Sequence, residues 1–565
     1  MVSNIVEDAD CLTGHTFDYI VVGGGTTGIT VAARLSENAH IRELVIESGF
    51  FESHRDPEVR NLTCYGRQFG TSMDHVFTTQ PQRVDNRVHH INSGNGLGGS
   101  TLINGGAWTR PAKAQIDSWQ SVFGNDGWTW DELLPHMKKV ENVRPPLPSN
   151  RQPYDNNIHG DTGAVQVGPF DTGNAESPII EAFVQVGRDR KFPLHNDLSS
   201  GNPRGISKFP LGSVKILVGQ FVGKVLFDTT SSVPTAIGVE YGRYRGSHTE
   251  VRASIEVILA AGALVSPLIL EQSGIGLLRV LSDAGIEQIV DLPIGLNHQD
   301  QANTNIVNLP TEDAIGDGQI AFFASLDETF GDLAPKVRAL LHDDAVLQQW
   351  AEQVVSSGGS QDASALLKQY KNYIDHVENH DIAISELLLD TWGEFGFSVW
   401  NLLPFGRGYI HVRSNDPYLR DYDYNPQFLS IEIDVLAQAA ASKLARDLVD
   451  SGELAKYRQE ELRPGLDDVP KDSGIDAWIR WTKSNYRPNL HALGTCSMMR
   501  REMGGVVDNK ARVYGVEGLR IVDASILPTQ VSSHVMALLY GVADKVATDI
   551  LSDYRRSSET NGAGI

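Results

Sequence analysis

Residues Phe17–Gly49 read FDYIVVGGGTTGITVAARLSENAHIRELVIESG. Tyr19–Val22 is a short apolar run rich in β-formers and bounded by glycine, too short for a helix. Gly23, Gly25 and Gly28 follow at G-x-G-x-x-G spacing, and an alanine-containing helix is predicted from there to about Glu37. A second apolar run, Glu43–Ile46, ends at Glu47. This is a complete β-α-β unit. The first glycine permits a tight turn, the second lets a pyrophosphate approach the backbone, and the third lets helix and strand pack closely. The helix N-terminus offers unpaired N–H groups to phosphate, and Glu47 can accept hydrogen bonds from a ribose. The stretch binds a dinucleotide.

The remainder of the chain limits what that dinucleotide serves. At 565 residues and 61.8 kDa it exceeds a single core, so at least two domains are expected. An apolar content of 41% indicates an ordered globular protein. The formal charge of −23 argues against nucleic acid or an anionic membrane as partner, since both would repel it. No window is apolar for long enough to span a bilayer. Residues 1–16 lack a basic stretch followed by an apolar one, and the chain reads as cytoplasmic, or as secreted if its natural start lies further upstream. Cys11, Cys64 and Cys496 are too few and too scattered for a disulfide framework or a metal cluster, and no metal ligands are assigned.

Ser93–Pro111, SGNGLGGSTLINGGAWTRP, suits a loop lying flat against a planar ligand, its glycines interleaved with Leu97, Leu102, Ile103 and Trp108, which favour burial. Thr129–Val143 has helical spacing, and Arg144–Gly160 reads as a loop. From Lys215 the pattern returns to glycine-punctuated strands, and Ser266–Pro267 begins a short helix that stops at glycine. The middle section carries amphipathic helices at Lys336–His342 and Ala363–Val377. Tyr554–Ile565 reads as a frayed polar tail.

Four motifs, in order, carry a resemblance: GNGLGGSTLINGGAW, GALVSPLILEQSGIG, RPNLHALGTCSMM and VDASILPTQVSSHVM. Together they resemble the glucose–methanol–choline (GMC) oxidoreductases, over about Thr16–Tyr554, and within that family the fungal glucose oxidases. The resemblance implies FAD and an α/β and α+β fold. A Rossmann-like FAD domain (15–110, 215–300, 486–555) would interleave with a substrate domain (111–214, 301–485) built on an antiparallel sheet backed by helices, leaving 1–14 and 556–565 as tails. Gly23, Gly25, Thr26, Thr27, Gly28 and Glu47 would hold the ADP half. Ser100, Asn104 and Gly105 would line the pyrophosphate and flavin, Val222 would lie near the adenine, and Asp523 and Met536 would close over the ribityl chain and ring.

Alcohol oxidation needs a base for the hydroxyl proton and an acceptor for the hydride, and histidine suits the base. The resemblance assigns His491 as base, His534 as its hydrogen-bonding assistant and Glu386 as the carboxylate orienting His534. It assigns Arg487 and Asn489 to sugar hydroxyls and Tyr65 and Trp400 to the pocket walls. The implied reaction is hydride transfer from an alcohol or glucose-like aldose to FAD, with oxygen or a quinone as acceptor; a homodimer is compatible with it. The alternative is a GMC enzyme of secondary metabolism that oxidises or cyclises a biosynthetic intermediate.

The chain departs from the family pattern in places. Leu388 replaces an aromatic pocket residue and Ala107 a threonine near the flavin. The cysteine pair of secreted relatives is missing, with Asn157 and Ser200 near where it would lie. Gly205–Gly219 is shorter than in relatives by more than a typical helix of about 11–12 residues.

Overall fold

A computed structural model describes residues 12, 14–51, 57–61, 64–145, 155–169, 177–194, 197–202, 204–207, 210–213, 219–243, 246, 248–314, 316, 318–391 and 395–562. Residues 208–209 and 214–218 of the Gly205–Gly219 link therefore lie outside the described residues.

Two sheets organise the chain. In the first, Thr16–Val22 lies between Glu43–Ile46 and His248–Leu259, parallel to both. Leu519–Ile521 adds a further parallel strand beside His248–Leu259. Thr235–Gly242 and Phe221–Asp228 extend the other side as an antiparallel pair. The register aligns Val22 with both Ile46 and Leu259, and Leu259 with Ile521, so four strands end at one edge. In an open α/β sheet, ligands bind beyond that carboxyl edge. Tyr19–Val22 is buried throughout, as strands covered on both faces require. The helix Thr26–Leu35 starts directly after the first strand and packs on the C-terminal helix Met536–Gly562.

The second sheet is antiparallel. Its strands run in the order Arg458–Arg463, Ala302–Pro310, Phe395–Asn401, Ser385–Asp390, Gln319–Ala324 and Gly205–Ser207, and Arg487–Pro488 pairs with Ala302–Pro310. The period-2 alternation of its strands divides it into two faces. Phe322, Leu387, Leu389, Phe397, Val399 and Ile306 point to a face packed by the helices Pro178–Asp189, Glu432–Val449 and Ile475–Asn485. Their neighbours Glu386, Leu388, Asp390, Ser398, Trp400, Asn303 and Asn305 share the opposite face. That opposite face is the floor of the candidate site.

Two sequence expectations change. Residues 554–562, read as a frayed tail, continue the C-terminal helix to Gly562. The segment read as helical to Val143 stops at Val140, and Glu141–Val143 forms a strand paired with Val165–Pro169. The break has a polar cause: Glu141 is fully buried and its carboxylate accepts from Trp108 Nε1 at 2.8 Å and from Arg110. Holding that carboxylate between two buried donors takes it out of the helical register, because an unpaired buried charge would be far costlier.

Candidate active site: a flavin crevice opening onto a histidine pair

The turns that leave the four parallel strands build a cavity of about 190 Å³. Gly23, Gly25, Thr26 and Thr27 follow Val22; Glu47 follows Ile46; Ala260–Ala263 follow Leu259; Asp523 lies just beyond Ile521. Val222 lines the same cavity from the antiparallel edge. Gly25 caps the first helix without a side-chain hydrogen bond, which leaves the first-turn N–H groups to a ligand. The second glycine loop is pressed against the first: Gly98 N donates to Gly24 O at 2.9 Å, and a Cβ on Gly99 (φ 56°) would approach Gly25 Cα to 2.7 Å.

Two buried carboxylates hold the crevice open. Glu47 accepts from Gly24 N at 2.7 Å on one oxygen and from Gly49 N and Gly96 N at 2.9 and 3.1 Å on the other. Burial pushes its carboxyl up, and these N–H groups pull it back in part. Its donors leave acceptor capacity on the oxygen that faces Gly24, as a ribose hydroxyl requires. Asp523 accepts from Ser266 Oγ at 2.5 Å, Gly262 N at 2.9 Å and Ser525 N at 2.8 Å, and burial raises it likewise. Bare N–H groups at a helix start, a spare carboxylate acceptor and a glycine-lined bed match the chemistry of a dinucleotide.

This crevice runs into a second cavity of about 300 Å³, and Thr26, Ser100, Leu490, His491 and Val535 line both. The second cavity is bounded by Tyr65, Asn104, Gly105, Leu388, Trp400, Arg487, Asn489, His534 and Met536. Asn104 Nδ2 lies 3.6 Å from Met536 Sδ, and its Oδ1 accepts from Gly106 N at 3.0 Å, fixing the loop beneath.

The two histidines stand edge to face, their ring centroids 5.3 Å apart, with Trp400 edge-on to both. His534 Nε2 is 3.1 Å from Glu386 Oε1, and Glu386 is fully buried on the sheet face below. His491 is held differently. Its Nδ1 is 2.8 Å from Gln301 Oε1, and Gln301 is oriented by donating Nε2 to Leu402 O at 3.2 Å. Nδ1 also lies 3.0 Å from Asn489 Nδ2, which donates to the same Gln301 oxygen; in the tautomer that donates Nδ1–H to Gln301 Oε1, Nε2 keeps its lone pair. Burial, and then the neighbouring His534, lower the His491 pKa to about 3, so the ring is neutral at ordinary pH. Asp300 Oδ1 accepts from His491 N and Gln301 N at 2.9 and 2.7 Å, which fixes the backbone of both partners.

The structure gathers the residues assigned from the sequence, with two refinements. Gly28 does not line the crevice; it is buried where a Cβ would collide with Gly23 O, so it acts through helix–strand contact. Asn489 turns its amide to the protein: Nδ2 donates to Gln301 Oε1 at 2.9 Å, and Oδ1 accepts from Asn303 Nδ2 at 2.7 Å. It thereby steadies the His491–Gln301 pair. Gln301, Asp300, Asn303 and Asn305 were missed. Their signal was a run of amides and a carboxylate, NHQDQANTN at 297–305, leading into a strand, where buried polar groups mark a site more often than a fold.

A dinucleotide crevice that opens onto a polar pocket holding a neutral histidine is the arrangement of an oxidoreductase that moves hydride between a substrate and its cofactor. Comparison with known proteins narrows the class. The family model described as GMC oxidoreductase matches residues 17–214 and 211–303 in its N-terminal part and 404–543 in its C-terminal part. The chain belongs to the GMC oxidoreductases and binds FAD. It is 48% identical to glucose oxidase 2 of Penicillium expansum over 98% of this chain and 95% of that one. It is 46% identical to the glucose oxidase of Aspergillus carbonarius over the same shares. A solved FAD-dependent oxidoreductase from Chaetomium thermophilum superposes with a TM-score of 0.83 at 25% identity, covering 95% of this chain and 100% of that one. The two N-terminal matches meet at 211–214, inside the passage that reads as shortened.

Proposed function

We propose that this enzyme oxidises an aldose, glucose or a close relative, at its CH–OH group and passes the electrons to molecular oxygen. The observation that carries the reading is His491, held through Nδ1 by Gln301, at the junction of the crevice and the polar pocket. Identity of nearly one half to fungal glucose oxidases supports the substrate class.

Bound FAD supplies the two-electron sink. His491 Nε2 takes the hydroxyl proton as the C–H bond gives up hydride, and the proton then remains on a ring already fixed by Gln301. His534, held by Glu386, supports the same oxygen from the perpendicular direction. Arg487, exposed to the cavity and tied through Nε to Asn305 Oδ1 at 2.9 Å, presents its remaining N–H groups to sugar hydroxyls. Trp400 offers an apolar wall to a pyranose face.

Anaerobic addition of glucose to the purified holoenzyme should bleach the flavin, and air should restore it with one peroxide released per sugar oxidised. Failure of every aldose to bleach it contradicts the substrate reading. Bleaching that a quinone reverses and oxygen does not contradicts the acceptor.

A further inference from the structure

The pocket floor extends past the residues used so far. Counting outward from the histidines along the Ser385–Asp390 strand, Glu386, Leu388 and Asp390 occupy successive positions on the cavity face, with register partners Trp400, Ser398 and Gly396. Asp390 thus lies four residues beyond Glu386, about 13 Å at ~3.3 Å per residue. It still lines the same cavity as His491. Gly396 opposite it contributes no side chain to that row.

The two formal charges of this cavity, histidines aside, are treated differently. Arg487 belongs to a protein chain of hydrogen bonds, Nε to Asn305 and Asn305 Nδ2 to Ser398 Oγ at 2.9 Å. Asp390 has one hydrogen-bond partner among the described residues, Gln319 Nε2 at 2.9 Å, and no described cation pairs with it. Gln319 is its register partner on the neighbouring strand and lines the cavity as well. A carboxylate offers about four acceptor positions, and leaving them unmatched in a largely buried place is costly. Burial accordingly raises the Asp390 pKa to about 7.

We propose that Asp390, with Gln319, forms an outer subsite that accepts a hydrogen bond from a hydroxyl at the end of the substrate remote from the carbon being oxidised. Arg487 then donates to the substrate on one side of the pocket while Asp390 accepts on the other, and Leu388 leaves room between them. The substrate class is a polyhydroxylated molecule long enough to reach both rows. This rests on the aldose reading above and adds the residue that selects among aldoses.

The test is a double-mutant cycle on the holoenzyme. Values of kcat/KM are measured for glucose, its singly deoxygenated analogues and cellobiose, with wild type, Asp390→Leu and the near-isosteric Asp390→Asn. Losing a hydrogen bond to a charged group should lower kcat/KM for the best substrate about 10- to 100-fold in Asp390→Leu. One deoxy position should show a matching loss in wild type and little further loss in the variant. Gln319→Leu should reproduce a smaller part of the effect. If Asp390→Leu does not fold, Asp390→Ala takes its place, and Asp390→Asn, which keeps one acceptor oxygen, should lose less than either. Equal kcat/KM for wild type and the folded apolar variant on every substrate, or losses that simply multiply, overturn the subsite alone. Absence of flavin reduction by any of these sugars in wild type overturns the aldose reading and the subsite together.

Discussion

The crevice and the pocket share Thr26, Ser100 and His491, yet they are built by opposite means. The crevice is made of backbone: turns after parallel strands, with Glu47 and Asp523 spent on orienting main-chain N–H groups. The pocket is made of side chains that an antiparallel register brings together from Asn303, Glu386, Trp400 and Arg487. A backbone site depends on close approach and tolerates no added atoms. A side-chain site depends on hydrogen-bond partners and fails gradually as they are removed.

The largest expected effect separates two glycines of one motif. A Cβ at Gly28 meets the Gly23 carbonyl, so Gly28→Ala should abolish folded protein. A Cβ at Gly25 comes no nearer than 3.7 Å to Gly99 Cα and intrudes mainly on cofactor space. Gly25→Ala should therefore purify with native circular dichroism and little flavin. If both variants fold and load alike, the crevice is not the close-fitting backbone site described.

On the pocket side, Gln301→Leu removes the acceptor that fixes His491 Nδ1–H. Partners one step from the chemistry typically cost about 10- to 100-fold when lost. The rate of anaerobic flavin reduction should fall by that much while the flavin spectrum stays in place. An unchanged rate would show that the tautomer is set by something else.

A fourth variant probes what supports the crevice from behind. Asp544, on the C-terminal helix, is fully buried and pairs with Arg34 Nε at 2.7 Å, His136 Nδ1 at 2.6 Å and Lys139 Nζ at 3.3 Å. Desolvation alone would raise its pKa, but His136 and the two cations outweigh it and hold the carboxyl below its usual range. Removing one member of a buried ion pair costs about 3–5 kcal/mol; because Arg34, His136 and Lys139 all reach solvent, Asp544→Ala should lose about 3 kcal/mol by denaturant titration. A loss below about 1 kcal/mol would mean the network is no better than a surface one.

The smallest effect is on pH. His491 is held neutral with a pKa lowered to about 3, so between about pH 6.5 and 3 the unfolded chain binds a proton that the folded chain does not. Stability must then fall as pH drops through that window, and His491→Asn should make the fall less steep. His75 and His298, each lowered to about 3 by burial, act in the same direction and remain in the variant. Identical pH slopes for the two proteins would contradict the buried neutral ring.

The same contrast explains what could be read from the sequence. Gly23–Gly28 and Glu47 were legible because a backbone site leaves its spacing in adjacent residues. His491 and His534 were legible through the motifs that hold them. Gln301 and Asp390 were not, because their partners lie 190 residues away for the Gln301–His491 pair and 71 for the Asp390–Gln319 pair, and only the tertiary fold joins them. Glu141 escaped for a related reason: its buried partners Trp108 and Arg110 overrule the helical pattern around it.

The central claim is that His491, buried and neutral, is the base for oxidation at the bound flavin. Rapid mixing of His491→Ala holoenzyme with glucose under nitrogen tests it most directly. The account predicts a full flavin complement and reduction slower than wild type by about 10²–10⁴-fold. Reduction at the wild-type rate would contradict it.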